Sequence, residues 1–237
     1  MMNPTRRTSR TAAFFDVDGT LVDTTTMFDF LSHHLDVRGR SEEYRVLRDR
    51  LSAMALAGAD RIRRCRAYYE IYAGVPVSTL AEEGARWFEH SASQPGFFIE
   101  SALAACRAHV AAGDLVVLVS GSFSACLDPI AEYLGGDVLL CSRPEVRAGV
   151  LTGAIDTPMI GAAKADAVRH LAGRRGLDLE QSYAYGDHIS DALYMELVGH
   201  PVVVGGDTEM AGHAARHGWR RLAEGPQPDL LTDRIRS

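Results

Sequence analysis

The chain has 237 residues, 46% of them hydrophobic and 24% charged, enough to bury one large core or two smaller ones. A formal net charge of −6 argues against a nucleic-acid or membrane-surface role. No apolar run reaches the roughly 20 residues of a membrane-spanning helix, so neither nucleic acid nor membrane is an expected partner.

The opening MMNPTRRTSRT is basic and polar, lacks a secretory apolar region and reads as a loose tail. A short apolar run then leads into FFDVDGTLVD (14–23), read as a buried strand ending in a turn. An Asp-Gly turn accounts for one aspartate there, but not for two. Asp16 and Asp18 stand on alternate positions, so their side chains leave one side of an extended segment about 7 Å apart along the chain. Like charges so placed repel unless a cation, a substrate or a shared proton compensates, and the stretch asks for a metal.

Residues 24–95 carry helical stripes and no convincing strand. Tyr44, Leu47, Leu51 and Met54 share one face; Ile62, Cys65, Tyr69 and Tyr72 share another, as do Leu80, Gly84 and Trp87. They read as core faces of an all-helical insertion, with SQPG (93–96) as its return hinge.

From residue 97 the pattern alternates. FFIESALAACRAHVAAG reads as a helix stopped by Gly113, LVVLV (115–119) as a buried strand, and 122–134 as a helix. DVLLC is a strand and PEVRAGVLTGAI a hairpin about Gly149. A helix near 161–174, the strand SYAYG, a helix near 189–198 and the strand PVVVG complete the series. Short apolar strands separated by helices imply a parallel sheet covered on both faces. Cys65, Cys106, Cys126 and Cys141 form no CxxC pair and read as buried free thiols in a reducing, cytoplasmic location.

Ligands of such sheets bind beyond the carboxyl ends of the strands. Those ends carry Asp16, Asp18, Gly19 and Thr20, then Ser120, Gly121 and Ser122, then Asp187, His188 and Asp191. Lys164 falls in the first turn or so of a helix. Of the 25 basic residues 24 are arginine, and Lys164 is the only lysine. A carboxylate can attack phosphorus, Mg²⁺ binds through carboxylates and phosphate, and a serine and a lysine can grip the phosphate. The set describes phosphoryl transfer.

The motifs DVDGT (16–20), VLVSGS (117–122), Lys164 and YGDHISD (185–191) resemble, in order and spacing, those of the haloacid dehalogenase-like (HAD) phosphohydrolases. The likeness covers nearly the whole chain apart from the tail. The insertion, VRAGVLTGAI, AKADAVRHL and ELVGHPVVV resemble the phosphoserine-phosphatase-like subgroup (subfamily IB). The resemblance implies an α/β fold: a Rossmann-like parallel-sheet core with an inserted α-helical cap domain. Residues 1–23 and 96–237 would form the core and 24–95 the cap.

It further implies Asp16 as nucleophile and Asp18 as general acid, then base. Mg²⁺ would be held by the carboxylates of Asp16 and Asp187 and the main-chain carbonyl of Asp18. Ser120, Gly121 and Lys164 would bind phosphate, with Asp191 and Thr20 supporting them. Asp18 argues against the dehalogenase reaction, which needs no leaving-group protonation or metal. A signalling receiver domain would be about half this length, lack the insertion, and carry its acidic pair before the phosphoacceptor strand.

The expected substrate is a small phosphate ester, acted on by a monomer or homodimer. Phosphoserine phosphatases carry a glutamate where this chain has Thr25, and the cap arginine has no secure match, with Arg66 nearby and Tyr68 aligned. Phosphoserine is therefore the alternative. Phe28, Phe30, Tyr68, Tyr69 and Tyr72 are aromatic candidates, some of them core; those that face the cleft would favour a flatter or larger neutral leaving group, such as a sugar phosphate joined to an aromatic body. Asp23 reads as the exit to the cap, His188 as surface or substrate-lining, and His33 and His34 as a solvated helix face.

Overall fold

The computed structural model describes residues 11–205 and 207–222; the tail, apart from Thr11, lies outside them. Strand β1 (Ala12–Phe15) comes first, followed by four helices without an intervening strand: α1 (Thr26–Asp36), α2 (Ser41–Leu56), α3 (Arg61–Tyr69) and α4 (Val77–Ala92). Then come α5 (Glu100–Ala112), β2 (Leu115–Phe123), α6 (Ser124–Leu134), β3 (Val138–Ser142) and the hairpin β4 (Pro144–Arg147) and β5 (Val150–Ile155). The remainder is α7 (Ala162–Arg175), β6 (Tyr183–Gly186), α8 (Ala192–Met195), β7 (His200–Val203), α9 (Thr208–His217) and β8 (Arg220–Arg221). No helix among the described residues is long and apolar enough to cross a membrane.

Six strands form one parallel sheet in the order β3-β2-β1-β6-β7-β8. β1 lies between β2 and β6, and all four of its residues are fully buried. The chain winds to one side of β1 through β2 and to the other through β6, so the crevice of this doubly wound sheet opens where β1 ends. Gly113 closes α5 in the left-handed conformation (φ +75°), as its position after the helical pattern predicts.

Three local readings change. β2 runs on to Phe123, so Ser120 to Ser122 sit on a strand end, and Phe123 faces the aromatic rings of Phe30, Tyr69 and Tyr72. The helix expected near 189–198 is a 3₁₀ turn (Ile189–Asp191) followed by the single turn of α8. That turn carries buried Asp191 toward Lys164, an ion pair that periodicity does not register. α9 and β8, absent from the expected series, extend the sheet edge.

The helical segment meets the sheet half along α4 and α6. Leu80, Gly84 and Trp87 are buried in α4, as their spacing predicts, and Trp87 donates its indole N–H to Asp29 on α1 at 3.2 Å. The loop before α4 is stitched to the hairpin by main-chain hydrogen bonds: Gly74 to Leu151, Leu151 to Val75, and Val77 to Gly149, each at 2.9 Å. His34 corrects the solvated-face reading, since it is buried with Nδ1 at 2.6 Å from Glu83. Burial lowers its pKa, so the neutral ring donates to a carboxylate that Arg38 also engages at 2.6 Å.

Gly84 is where α4 and α6 come closest. A Cβ built there would lie 1.7 Å from the Ala125 carbonyl oxygen, a backbone atom that cannot turn aside. Gly84→Ala should therefore force the helices apart and cost about 1–3 kcal/mol. Thermal unfolding measures this, and an unchanged Tm would show that α4 can retreat from α6 without loss.

Candidate active site

The loop after β1 is built on one carbonyl. The amides of Thr20, Leu21 and Val22 all donate to the Val17 carbonyl, at 3.2, 2.9 and 3.0 Å. Gly19 turns the chain with φ +77°, and a Cβ there would sit 2.5 Å from Asp187 Oδ2. Glycine is thus required twice, for the backbone angle and for the approach of a carboxylate. Thr20 Oγ1 donates to Asp187 Oδ1 at 3.2 Å, which aims that carboxylate toward the end of β1.

Asp16 is buried, and its amide donates to the Tyr185 carbonyl on β6 at 3.0 Å. Its Oδ1 accepts from Lys164 Nζ at 2.6 Å, and the same ammonium reaches Asp191 Oδ1 at 2.7 Å. Burial opposes the lysine's charge, but Asp16 and Asp191 outweigh it and raise its pKa above the ordinary value. Burial raises the Asp16 carboxyl; Lys164 counteracts this, and Asp191, Asp187 and Asp18 add repulsion. Asp187 is raised by burial and by Asp191.

Asp18 stands apart from this network. Its Oδ1 accepts from the Thr26 amide, the first residue of α1, at 3.0 Å. Burial pushes it up to about 6, against the hydrogen bonds from Thr26. The two aspartates that alternate in sequence therefore have different partners, one a cation and the other a neutral amide.

Ser120 and Gly121 lie beside them at the end of β2. Ser120 Oγ accepts from the Ser122 amide at 3.1 Å. Ser142, which no motif flagged, donates to the Gly121 carbonyl at 2.7 Å and accepts from the Met159 amide at 2.9 Å. It ties together two segments of the site wall.

A cavity of about 330 Å³ joins these groups to the helical segment. Asp16, Asp18, Ser120, Gly121, Lys164, Asp187 and Asp191 all line it, as does exposed His188. Thr20 does not line it and acts through Asp187. Asp23 is exposed outside it, its amide bonded to Phe97 at the return of the chain, and neither His33 nor His34 reaches it.

The structure divides the aromatic candidates between the cavity and the core. Phe28 and Tyr68 line the cavity, whereas Phe30, Tyr69 and Tyr72 are fully buried in the core. Arg66 is exposed elsewhere, while Arg61 and Arg64 line the cavity with Cys65 and Tyr68. Positions 61, 64, 65 and 68 are spaced i, i+3, i+4 and i+7, so this face was present in the sequence as a helical stripe. Ile62, assigned to the stripe instead, is 44% exposed. Two arginines thus stand in the wall beside the rings.

The acidic cluster suits a hard cation. Asp16, Asp187 and Asp191 each offer an oxygen, all within 4.8 Å of one another, and the cradle at Gly19 leaves Asp187 room beside the turn. Four carboxylates face a single lysine at this edge, and an all-oxygen donor set matches Mg²⁺.

A model of the haloacid dehalogenase-like hydrolases matches residues 13–196. The chain is 34% identical over 232 residues to the "Inhibition of morphological differentiation protein" of Streptomyces azureus, across 95% of this chain and 82% of that protein. It is 34% identical over 232 residues to a probable phosphatase of Mycobacterium tuberculosis, across 96% of this chain and 79% of that one. A solved Bordetella pertussis protein of unknown function matches with TM-score 0.80 and 28% identity, covering 92% of this chain and 100% of that one. A phosphoserine phosphatase solved as a phospho-aspartyl intermediate analogue shares the fold, with TM-score 0.64 and 20% identity over 96% of this chain and 98% of that one. With the family model spanning most of its length and its site groups gathered at one sheet edge, the chain belongs to the haloacid dehalogenase-like hydrolases.

Proposed function

We propose that this phosphatase hydrolyses a small-molecule phosphate monoester in two steps, through an aspartyl phosphate on Asp16, with Mg²⁺ bound. The observation that carries the reading is the division between the two aspartates. Asp16 is held by the Lys164 ammonium at 2.6 Å, whereas Asp18 accepts from the neutral Thr26 amide at 3.0 Å. A carboxylate beside a cation serves as a nucleophile, and a carboxyl held off that cation by a neutral amide serves as a proton carrier.

The carboxylates of Asp16 and Asp187 and the main-chain carbonyl of Asp18 would hold the metal. When bound, Mg²⁺ supplies positive charge against the clustered carboxylates and the phosphoryl oxygens. Asp16 attacks phosphorus while Asp18 gives its proton to the leaving oxygen, releasing the alcohol. Asp18, now a carboxylate, takes a proton from water, whose oxygen attacks the same phosphorus. Phosphate leaves and Asp16 is restored. Ser120, the Gly121 backbone and Lys164 hold the phosphoryl oxygens through both steps, and Asp191 keeps the ammonium in place.

Turnover of an aryl phosphate should require Mg²⁺ and vanish with a chelator; undiminished turnover in the chelator would overturn the metal assignment. Asp16→Asn should lower kcat at least about 10³-fold with the fold intact, because an amide cannot form the acyl phosphate. Beryllium fluoride with Mg²⁺ should form its adduct on Asp16, and an adduct elsewhere would move the nucleophile.

Asp18→Asn should slow alkyl phosphate hydrolysis by roughly 10² to 10⁴. Phosphoenzyme formation from an aryl phosphate, with its better leaving group, should suffer less. Equal losses in that step would count against leaving-group protonation by Asp18.

A further inference from the structure

We infer that the leaving group carries a second phosphoryl group, received by Arg61 and Arg64 on the helical side of the cavity. The inference rests on the phosphatase reading of the same site and names its substrate class.

Asp60 caps α3 by accepting from the Arg63 amide at 2.7 Å, which fixes the register of the first turn. Arg61 and Arg64 then fall one turn apart on the face that lines the cavity. Elsewhere in the helical segment Arg38, Arg40, Arg45 and Arg50 each pair with a glutamate, and Arg48 lies over the Phe28 ring at 4.5 Å. Arg61 and Arg64, like exposed Arg63, Arg66 and Arg86, have no such partner among the described residues, but only Arg61 and Arg64 line the cavity. The Nε of Arg64 is buried without a hydrogen bond. A buried guanidinium N–H left unmet is costly, and an acceptor entering the cavity would relieve it.

The rest of that wall supplies no counter-ion. Its other groups are Thr25, Met27, Phe28, Leu51, Cys65 and Tyr68, none of them acidic. An ammonium on the leaving group would meet cations rather than a carboxylate, which tells against an amino-acid phosphate. The transferring phosphate already has Lys164, Ser120 and Gly121, so the arginines are free for a different anion. Guanidinium groups bind phosphate and carboxylate alike, but two fixed positive charges match the near-dianion of a phosphate monoester rather than a single carboxylate. Met27, Phe28, Leu51 and Tyr68 would flank the apolar part joining the two phosphates.

A matched series tests this: hexyl phosphate, its 6-amino and 6-carboxy derivatives, and hexane-1,6-diol bisphosphate, with the three- and four-carbon homologues. Counted per scissile group, kcat/KM for the best bisphosphate should exceed that of its methyl-ended partner by roughly tenfold or more, with the amino ester lowest. Arg61→Gln and Arg64→Gln should each cost the bisphosphate roughly tenfold more than hexyl phosphate, mainly through KM. Hexyl phosphate turnover by the same variants reports whether they fold.

Equal losses across the series would mean that the arginines serve the scissile phosphate or the fold, and would overturn the inference. So would preference for the carboxy or amino ester, or no preference at all. Failure of every ester to react with wild-type enzyme would overturn the phosphatase reading together with this one.

Discussion

The ammonium of Lys164, shared between Asp16 and Asp191, is the contact on which the site depends. It joins the end of β1, the first turn of α7 and the 3₁₀ turn after β6, three segments far apart in sequence. Taking two carboxylates out of water is expensive unless a cation meets both, and here one cation does. Its place in the helix is unfavourable by itself, because a positive charge in the first turn opposes the helix dipole. The carboxylates outweigh that cost. Arginine, plentiful everywhere else in the chain, carries a broad planar fork, whereas a compact ammonium can sit between two carboxylate oxygens at 2.6 and 2.7 Å.

From this contact follows a separation of charge across the cavity. Carboxylates crowd the sheet edge, and the helical wall answers with arginines and apolar side chains. A low-dielectric cleft with opposite signs on its two walls orients an anionic ligand before any contact is made. Asp18 sits between the two regimes, attached to the sheet by its backbone and to α1 by its carboxylate.

Much of this was legible in the sequence because the fold gathers strand ends at one edge. Asp16, Asp18, Ser120, Lys164 and Asp187 could be placed there from short apolar runs and the single lysine alone. Gly84 and Trp87 were legible as a buried face because nothing but packing requires glycine and tryptophan at helical spacing. The arginine wall was harder to see. In α3 two apolar registers compete, and the one through Ile62 contains only hydrophobic residues and rings, while the true cavity face mixes arginine with cysteine and tyrosine. Periodicity favours the first, whose Cys65, Tyr69 and Tyr72 are core while Ile62 is not, and the position of the helix adds the second as the cavity face. His34 shows the same limit, since a polar residue on a helix reads as solvated until its partner Glu83, distant in sequence, is brought against it. The 3₁₀ turn at Asp191 is likewise set by a distant ion pair.

The stitching of the hairpin to the loop before α4 has a mechanical consequence. Together with the close approach at Gly84, it clamps one flank of the helical segment to the sheet half through backbone atoms. The opposite flank is held by side chains instead: among the described residues α2 buries only Leu47 and Leu51, and α3 is exposed at its start but buried at Tyr68 and Tyr69. The segment is therefore held along α4 and along the end of α3, which packs against β5, and α2 is its outer layer. Arg61 and Arg64 thus stand toward the exposed start of a helix whose other end, at Tyr68 and Tyr69, is fixed in the core.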